Sequence, residues 1–344
     1  MNFILKDENA VYYECGFSCD NVVFLTLGSE SFFITDSRYT HEAAQYVTKA
    51  EVIEGDRRDL YKTVRDIITK SKVKEIVFNP SEWSVDAYEK LSLELLHVSF
   101  KKEPNFSQLK RVIKTQDELE ILKTASYLGK IAFDDFATFL KTQGLGVSEQ
   151  RLHFEAELIF KKLGELDLSF SPIVALGKNA AKPHALPTSD ILQSGELVLL
   201  DAGVKYKRYC SDRTRTCEYS KEMHFGKVQQ FTESKKQKIY DTVLYAQEAG
   251  IKKARVGMRA CDVDKACREV IEKAGFGDFF IHSTGHGVGL DIHELPIIGA
   301  RSETLLEEGM VFTIEPGIYL PDAFGVRIED TVVLTSRGAE IIGQ

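Results

Sequence analysis

The sequence lacks the features that mark a membrane-spanning or nucleic-acid-binding protein. No apolar run in its 344 residues approaches the roughly 20 residues that span a bilayer. Acidic residues outnumber basic ones, and the net charge of −8 argues against nucleic acid or an anionic membrane as the main partner. The start, MNFILKDE, has no basic segment followed by an apolar one, so it does not predict a signal peptide. We therefore expect a cytoplasmic protein.

Cysteine is present, but in no pattern typical of a metal or redox site. None of the six cysteines forms a CxxC pair, which argues against a zinc–thiolate centre or a disulfide framework. We expect free thiols in or near the core. These residues are Cys15, Cys19, Cys210, Cys217, Cys261 and Cys267.

Two domains are predicted from the order of helix and strand signals. Strands and helices alternate through the first part of the chain, which predicts a small α/β domain over residues 1–108. A polar stretch around Pro104 predicts the beginning of a linker. The second domain is expected over residues 109–344. Its first helix should begin at the capping-box pattern Thr115 to Glu118 and run to about Leu140.

The second domain contains an internal repeat. The segments GELVLLDAG from Gly195 and GMVFTIEPG from Gly309 share the form G-x5-acid-x-G and lie 114 residues apart. The helix starts GVS at Gly146 and GMR at Gly257 lie 111 residues apart, a nearly matching offset. Two matches at similar offsets predict two halves related by a pseudo-two-fold axis. Each half ends with an acidic residue on an apolar strand.

The first half is predicted to bring two acidic side chains together. If the hairpin turns at residues 206–207, Asp201 lies opposite Asp212 on one face. Asp201 ends the apolar run Leu197 to Leu200, so its strand is expected to be buried. A buried pair of like charges is costly, and a bound cation is the usual remedy.

The second half repeats this arrangement and adds an imidazole. An odd-length loop centred on Asp322 places Glu315 opposite Glu329. His286 lies in the small-residue loop STGHGVG. Four carboxylates and one neutral imidazole balance the charge of two divalent ions. Because the donors are oxygen and nitrogen without sulfur, we predict Mn²⁺, with Co²⁺, Fe²⁺ and Zn²⁺ as alternatives.

These motifs resemble those of the pita-bread metallopeptidases, above all the Xaa-Pro dipeptidases (prolidases) and aminopeptidase P. The resemblance rests on DAG with an acid eleven residues later, HSTGHGVGLDIHE, IEPG and VRIED, and covers most of the chain. It implies an α+β fold with a pita-bread catalytic domain after a small α/β creatinase-like domain. It also implies that Asp201 binds one metal, His286 and Glu315 bind the other, and Asp212 and Glu329 bridge both.

The resemblance implies roles for further residues. His184 and His293 contact the scissile group and the oxyanion, so together with Glu315 they are the expected catalytic residues. His282 is either a supporting residue of the substrate site or an ordinary polar residue. Arg327 shares a strand face with Glu329, where it can neutralise the carboxylates or clamp the substrate. The remaining histidines are interpreted as ordinary polar residues: His41, His97, His153 and His224.

We therefore expect a homodimeric Xaa-Pro dipeptidase or aminopeptidase that cleaves short proline-containing peptides through a hydroxide shared by two metals. The size of the chain slightly favours a dipeptidase. A methionine aminopeptidase resembles the second domain but normally lacks the first. A creatinase-type amidinohydrolase shares both domains but not the complete ligand set. A non-catalytic binding protein on the same fold is a further alternative, although such relatives typically lose ligands.

Overall fold

The computed structural model describes residues 1–343, and contacts divide the chain into two compact units. The first unit comprises residues 1–111, and the second begins at residue 112. The predicted domain limits, 1–108 and 109–344, stay a prediction. The polar stretch around Pro104, predicted as the beginning of a linker, joins a strand to a helix within the first unit. No described helix combines the length and apolar character needed to cross a membrane.

The first unit is a six-stranded sheet with helices on both faces. The strands lie in the order β4-β3-β2-β1-β5-β6, and only β2 runs antiparallel to the others. The strands are β1 (Phe3–Leu5), β2 (Val22–Leu27), β3 (Glu30–Thr35), β4 (Glu51–Glu54), β5 (Glu75–Phe78) and β6 (Ser99–Lys102). The helices are α1 (Glu8–Cys15), α2 (Thr40–Tyr46), α3 (Leu60–Ser71), α4 (Val85–Ser92) and α5 (Phe106–Arg111). Because both faces are covered, β2 is buried along its whole length.

The second unit contains two helices and a hairpin, twice over. The first half consists of α6 (Gln116–Phe139), α7 (Glu149–Phe160), β7 (Asp167–Leu168), β8 (Ile173–Leu176), β9 (Leu197–Ala202), β10 (Val204–Tyr206), β11 (Tyr209–Cys210) and β12 (Arg213–Glu218). The second consists of α8 (Ser234–Lys253), α9 (Ala260–Lys273), β13 (Gly285–Gly287), β14 (Glu294–Ile298), β15 (Val311–Ile314), β16 (Gly317–Leu320), β17 (Phe324–Arg327), β18 (Asp330–Thr335) and β19 (Gly338–Ile341). This order confirms the predicted α+β pita-bread class with two similar halves.

The helices of the two halves lie in separate cores. One core joins α6 and α7 to β8, β9 and β12, and the other joins α8 and α9 to the later strands and to Leu197 and Leu199 of β9. The predicted capping box is present at the beginning of α6. Thr115 Oγ1 accepts the N–H of Glu118 at 3.3 Å, and Glu118 Oε2 accepts the N–H of Thr115 at 2.8 Å. All six cysteines are free thiols, as predicted, and all but Cys261 are buried.

The predicted register of the first hairpin is wrong by two residues, because the turn lies one residue later than expected. Lys207 and Arg208 occupy the turn, and both have positive φ, 47° and 71°, as a two-residue turn of type I′ requires. Non-glycine residues seldom adopt positive φ, so this turn has no obvious sequence signal. As a consequence Asp201 pairs with Thr214, and Asp212 lies two residues before that partner.

The second hairpin has the predicted register. β16 and β17 pair around Asp322, with Tyr319 opposite Gly325. The pairing of β15 with β18 continues in the same register as far as Ile314 opposite Asp330. Glu315 and Glu329 are the next residues along these two strands.

Candidate active site

Both hairpins are interrupted where their acidic residues lie. Gly203 separates β9 from β10, and Asp212 lies between β11 and β12. A Cβ at Gly203 would lie 1.8 Å from the carbonyl oxygen of Ser211, so this close crossing requires glycine. In the second hairpin the interruption falls at Glu315 and Glu329. A broken ladder lets acidic side chains from both hairpins converge on one point.

Four of the five predicted metal ligands lie close together. Potential ligand atoms of Asp212, His286 and Glu329 all lie within 4.8 Å of one another. His286 Nε2 lies 3.6 Å from Asp212 Oδ2 and 3.4 Å from Glu315 Oε1. The fifth, Asp201, lines the same cavity as the other four. The structure therefore brings together all five side chains that the sequence indicated.

Local hydrogen bonds orient His286 towards this cluster. Its Nδ1 lies 3.0 Å from the carbonyl oxygen of Gly287, a contact that places the ring proton on Nδ1. The lone pair of Nε2 then faces the carboxylates. Burial lowers the pKa of His286 to about 4, so the ring is neutral at neutral pH, as a metal ligand must be.

The positive charge that the protein places near the clustered carboxylates does not balance their negative charge. The pKa of Glu315 is raised to about 8, chiefly by burial, with Arg327 opposing the shift and the charge of Asp201 adding to it. Burial and neighbouring carboxylates raise the pKa of Asp212 and of Glu329 well above the ordinary range.

Two buried carboxylate oxygens also lack a hydrogen-bond partner within the described residues. They are Asp201 Oδ1 and Glu329 Oε1. Buried polar atoms are almost always satisfied, so two orphaned oxygens in one acidic cluster fit a bound cation. The donor set of four carboxylates and one imidazole suits a divalent metal.

A directed chain of hydrogen bonds borders the cluster. Arg327 Nη2 donates to Asp201 Oδ2 at 2.6 Å, and Nη1 donates to Tyr319 Oη at 2.8 Å. Tyr319 Oη lies 2.8 Å from His282 Nε2. His282 Nδ1 lies 2.7 Å from the carbonyl oxygen of Ser283, so that nitrogen carries the proton and Nε2 accepts from Tyr319. Burial lowers the pKa of His282 to about 4, which keeps this acceptor neutral.

The acidic cluster forms the floor of a cavity of about 640 Å³. His184, His282 and His293 all line it, and the ring centroids of His293 and His286 lie 4.3 Å apart. The rest of the lining is largely apolar and includes Phe170, Pro172, Ile173, Leu186, Pro187, Ile292 and Ile297. Such a cavity, apolar with a few convergent polar groups, is typical of a small-molecule or peptide site.

Sequence reasoning missed several polar residues of the site. Thr214 donates to Glu329 Oε2 at 2.7 Å and accepts from Arg327 Nε at 3.0 Å. Tyr319 joins Arg327 to His282. His153, interpreted from the sequence as an ordinary polar residue, lines the cavity. Alternation along the strand could have indicated Thr214, two residues after Asp212, whereas nothing in the helical sequence around His153 marks it.

A two-unit α+β fold with a buried cluster of four carboxylates and one imidazole in a cavity defines a metallopeptidase of the pita-bread class. The chain belongs to metallopeptidase family M24, which residues 120–336 match. Residues 2–119 match the creatinase/prolidase N-terminal domain.

Similar proteins carry both of the expected activities in their names. An Xaa-Pro dipeptidase from Pyrococcus furiosus is 34% identical over 98% of this chain and 91% of its own length. The structure of an Xaa-Pro dipeptidase from Bacillus anthracis has a TM-score of 0.90 and 34% identity, and the match covers 100% of this chain and 92% of that one. An X-Pro aminopeptidase from Thermotoga maritima has a TM-score of 0.87 and 30% identity, covering 100% and 95%.

Proposed function

We propose that this metallopeptidase hydrolyses the Xaa-Pro bond at the N-terminus of dipeptides or short peptides with two divalent metal ions. The observation that carries the dinuclear part is the set of four carboxylates and one imidazole around one point, with two buried oxygens lacking partners. The names of the similar dipeptidases and aminopeptidase support the substrate class. A complete ligand set argues against a non-catalytic binding protein.

In this proposal Asp201, Asp212, His286, Glu315 and Glu329 hold the ions, with Asp212 and Glu329 shared between them. Mn²⁺ is the preferred metal. When bound, such a pair supplies Lewis acidity and lowers the pKa of a water molecule enough to make a nucleophile near neutral pH.

The protein's own groups then move protons and orient the peptide. The carboxyl of Glu315, 3.4 Å from His286 Nε2 in the cluster, would accept the proton of the attacking water. It passes that proton to the leaving nitrogen, which in an Xaa-Pro bond carries no hydrogen and must be protonated to leave. His293, beside His286 at the cavity wall, donates to the developing oxyanion. His184 contacts the scissile group from the same wall.

Arg327 serves this site mainly by holding Asp201. Its Nε, Nη1 and Nη2 atoms already donate to Thr214, Tyr319 and Asp201. No other Arg or Lys lines the described cavity. A free carboxylate on the substrate's proline would therefore rely on His184 and the neighbouring histidines. This arrangement weakens the case for a strict dipeptidase that the size of the chain suggests.

The test is a panel of substrates of different length in the presence of Mn²⁺. We expect hydrolysis of Ala-Pro and Ala-Pro-Ala-Ala and none of Ala-Ala or Met-Ala-Ala. Ala-Pro-amide separates the two activities, because a carboxylate clamp would cost the amide about 10-fold or more in kcat/KM. Cleavage of Met-Ala-Ala but of no Xaa-Pro substrate would overturn the proposal in favour of a methionine aminopeptidase.

A further inference from the structure

A second cavity, in the first unit, carries an excess of positive charge. It measures about 380 Å³ and is lined by five basic side chains and only one carboxylate, that of Asp59. The cavity lies where β1 and β4 end. This is the edge of the sheet that holds the carboxyl ends of all its strands except the antiparallel β2. Open α/β sheets bind their ligands at this edge. The basic residues are Lys6, Arg57, Arg58, Arg65 and Lys90.

Three of these cations have no acidic partner. Arg65 Nη2 lies 3.4 Å from Asp59 Oδ2, and Lys90 Nζ lies 2.9 Å from Asp86 Oδ2 in the preceding turn of α4. Lys6, Arg57 and Arg58 form no ion pair with a carboxylate in the part of the chain that the structure describes. Like charges that share a cavity repel one another, and an anion relieves that repulsion.

We propose that this cavity binds a small phosphate monoester. Guanidinium groups donate paired hydrogen bonds that match phosphate oxygens, and the consecutive residues Arg57 and Arg58 supply two such groups to the cavity lining. Arg65 is preorganised, because its Nη1 also donates to the carbonyl oxygen of Lys90 at 2.5 Å and its side chain is only 11% exposed. A dianionic head group matches three unpaired cations better than a single carboxylate does.

Calorimetric titration of the full-length, metal-loaded protein with glycerol 2-phosphate tests this site. The variant Arg57→Gln/Arg58→Gln removes two unpaired cations from the cavity. The matched control, Lys101→Gln/Lys102→Gln, removes two exposed cations of the same unit that do not line it. Glycerol serves as the uncharged ligand and acetate as the carboxylate.

We expect saturable binding of glycerol 2-phosphate that weakens by about 10-fold or more in the arginine variant and by less than about 2-fold in the control. Glycerol and acetate should bind at least about 10-fold more weakly than the phosphate ester. Absence of saturable binding would overturn the proposal. So would binding that persists in the arginine variant, which would place the anion elsewhere, for example at the metals.

A different observation supports a second inference, about the loop that carries His293. Lys114 Nζ lies 2.7 Å from Glu294 Oε2, and both side chains are 1% exposed. Glu294 Oε1 accepts the backbone N–H of Asp291 at 3.1 Å. A Cβ at Gly289 would lie 2.4 Å from Glu294 Oε2, so the carboxylate packs directly against the loop backbone.

We infer that Lys114 and Glu294 are positioning residues for His293, an inference that rests on the proposed function. Glu294 pairs with Gly287 in the ladder between β14 and β13, next to His286. His293 directly precedes β14, lines the cavity and packs against the ring of His286. Anchoring Glu294 in the interior therefore fixes the backbone that carries His293.

A double-mutant cycle tests this inference. The variant Lys114→Met/Glu294→Leu removes the pair without leaving an uncompensated buried charge. With an Xaa-Pro substrate we expect it to lower kcat by about 10-fold or more, with metal content kept. In a His293→Ala background the same change should alter kcat by less than about 2-fold, because its effect acts through His293.

Equal losses of kcat in both backgrounds would assign the pair a purely structural role and overturn the inference. Failure of the unmodified enzyme on every Xaa-Pro substrate would instead overturn the proposed function. In that case the imidazole NMR signals of His293 still test whether the pair positions its ring. They should shift in the pair variant, whereas those of His97 should not. Lys114→Gln/Glu294→Gln, which also removes both charges but keeps polar side chains, replaces the pair variant if that variant does not fold.

Discussion

Arg327 and Asp201 lie on different hairpins, and their side chains meet at 2.6 Å between Nη2 and Oδ2. Both residues are buried, and Arg327 is the one guanidinium among the described residues that line the cavity. Its positive charge offsets part of the repulsion among four carboxylates. The contact therefore ties the two halves of the catalytic unit together at the site.

Replacing Arg327 by methionine should destabilise the metal-free protein. Loss of one partner of a buried ion pair leaves an uncompensated charge, at a cost of about 3–5 kcal/mol in the free energy of unfolding. Urea denaturation in the presence of a chelator measures this change. Arg337→Met, which removes an exposed pair with Glu340, should cost less than about 1 kcal/mol. Similar losses in both variants would contradict the assigned role of Arg327.

The metal-free protein should lose stability as the pH rises from about 6.5 to about 8. The folded pKa of Glu315 is about 8, against an ordinary value of 4.5, so over this range the folded state holds more protons than the unfolded one. His282 and His286, with lowered pKa values of about 4, act in the opposite sense, but only below about 6.5. Asp212 and Glu329, whose pKa values are also raised, act in the same sense as Glu315. Thermal unfolding from pH 6.5 to 8 measures the effect, and Glu315→Gln should reduce the slope without abolishing it.

Metal removal should abolish activity, and Mn²⁺ or Co²⁺ should restore it. Asp212→Asn and Glu329→Gln should be among the most damaging substitutions, because each residue is proposed to be shared by both ions. Activity assays with parallel metal analysis of each variant provide the measurement. Asp135→Asn, on the exposed face of α6, is the matched control and should retain full activity. Full activity of a verified metal-free sample would refute the metal requirement.

His293→Ala should lower kcat by about 10²-fold or more, the scale expected for one lost oxyanion donor. Metal content should be unchanged, since His293 is not among the proposed ligands. Steady-state kinetics and metal analysis test both statements, with the exposed His97→Ala as control. A collapse of metal occupancy in the His293 variant would show that the ring supports the metal centre instead.

Tyr319→Phe should lower kcat by about 10-fold and the free energy of unfolding by about 1–3 kcal/mol, because two buried polar groups lose a partner. The substitution keeps the ring but removes the hydroxyl that accepts from Arg327 and donates to His282. Comparison of kcat with that of Tyr245→Phe, an exposed tyrosine on α8, isolates this hydroxyl. An unchanged kcat would mean that the link between Arg327 and His282 has no part in the reaction.

The hydrophobic pattern of the sequence predicted most elements near the site because these elements have strong local signals. The capping box at Thr115 and the helix that it begins are confirmed. The loop centred on Asp322 also has the predicted register. The turn at Lys207 and Arg208 was missed, because two ordinary residues adopt positive φ there without glycine or asparagine.

The sequence by itself determined which side chains could form the centre, since acids that end buried apolar strands need a compensating charge wherever they lie. Only the tertiary structure decided how they meet. Thr214, Tyr319 and Arg327 come from different strands, and their hydrogen bonds depend on the crossing of two interrupted hairpins. The contacts of Thr214 with Glu329 and with Arg327 join residues more than a hundred positions apart, and no local pattern records them. The physical reason is that strand periodicity fixes the face on which a side chain lies, whereas packing alone fixes which faces come together.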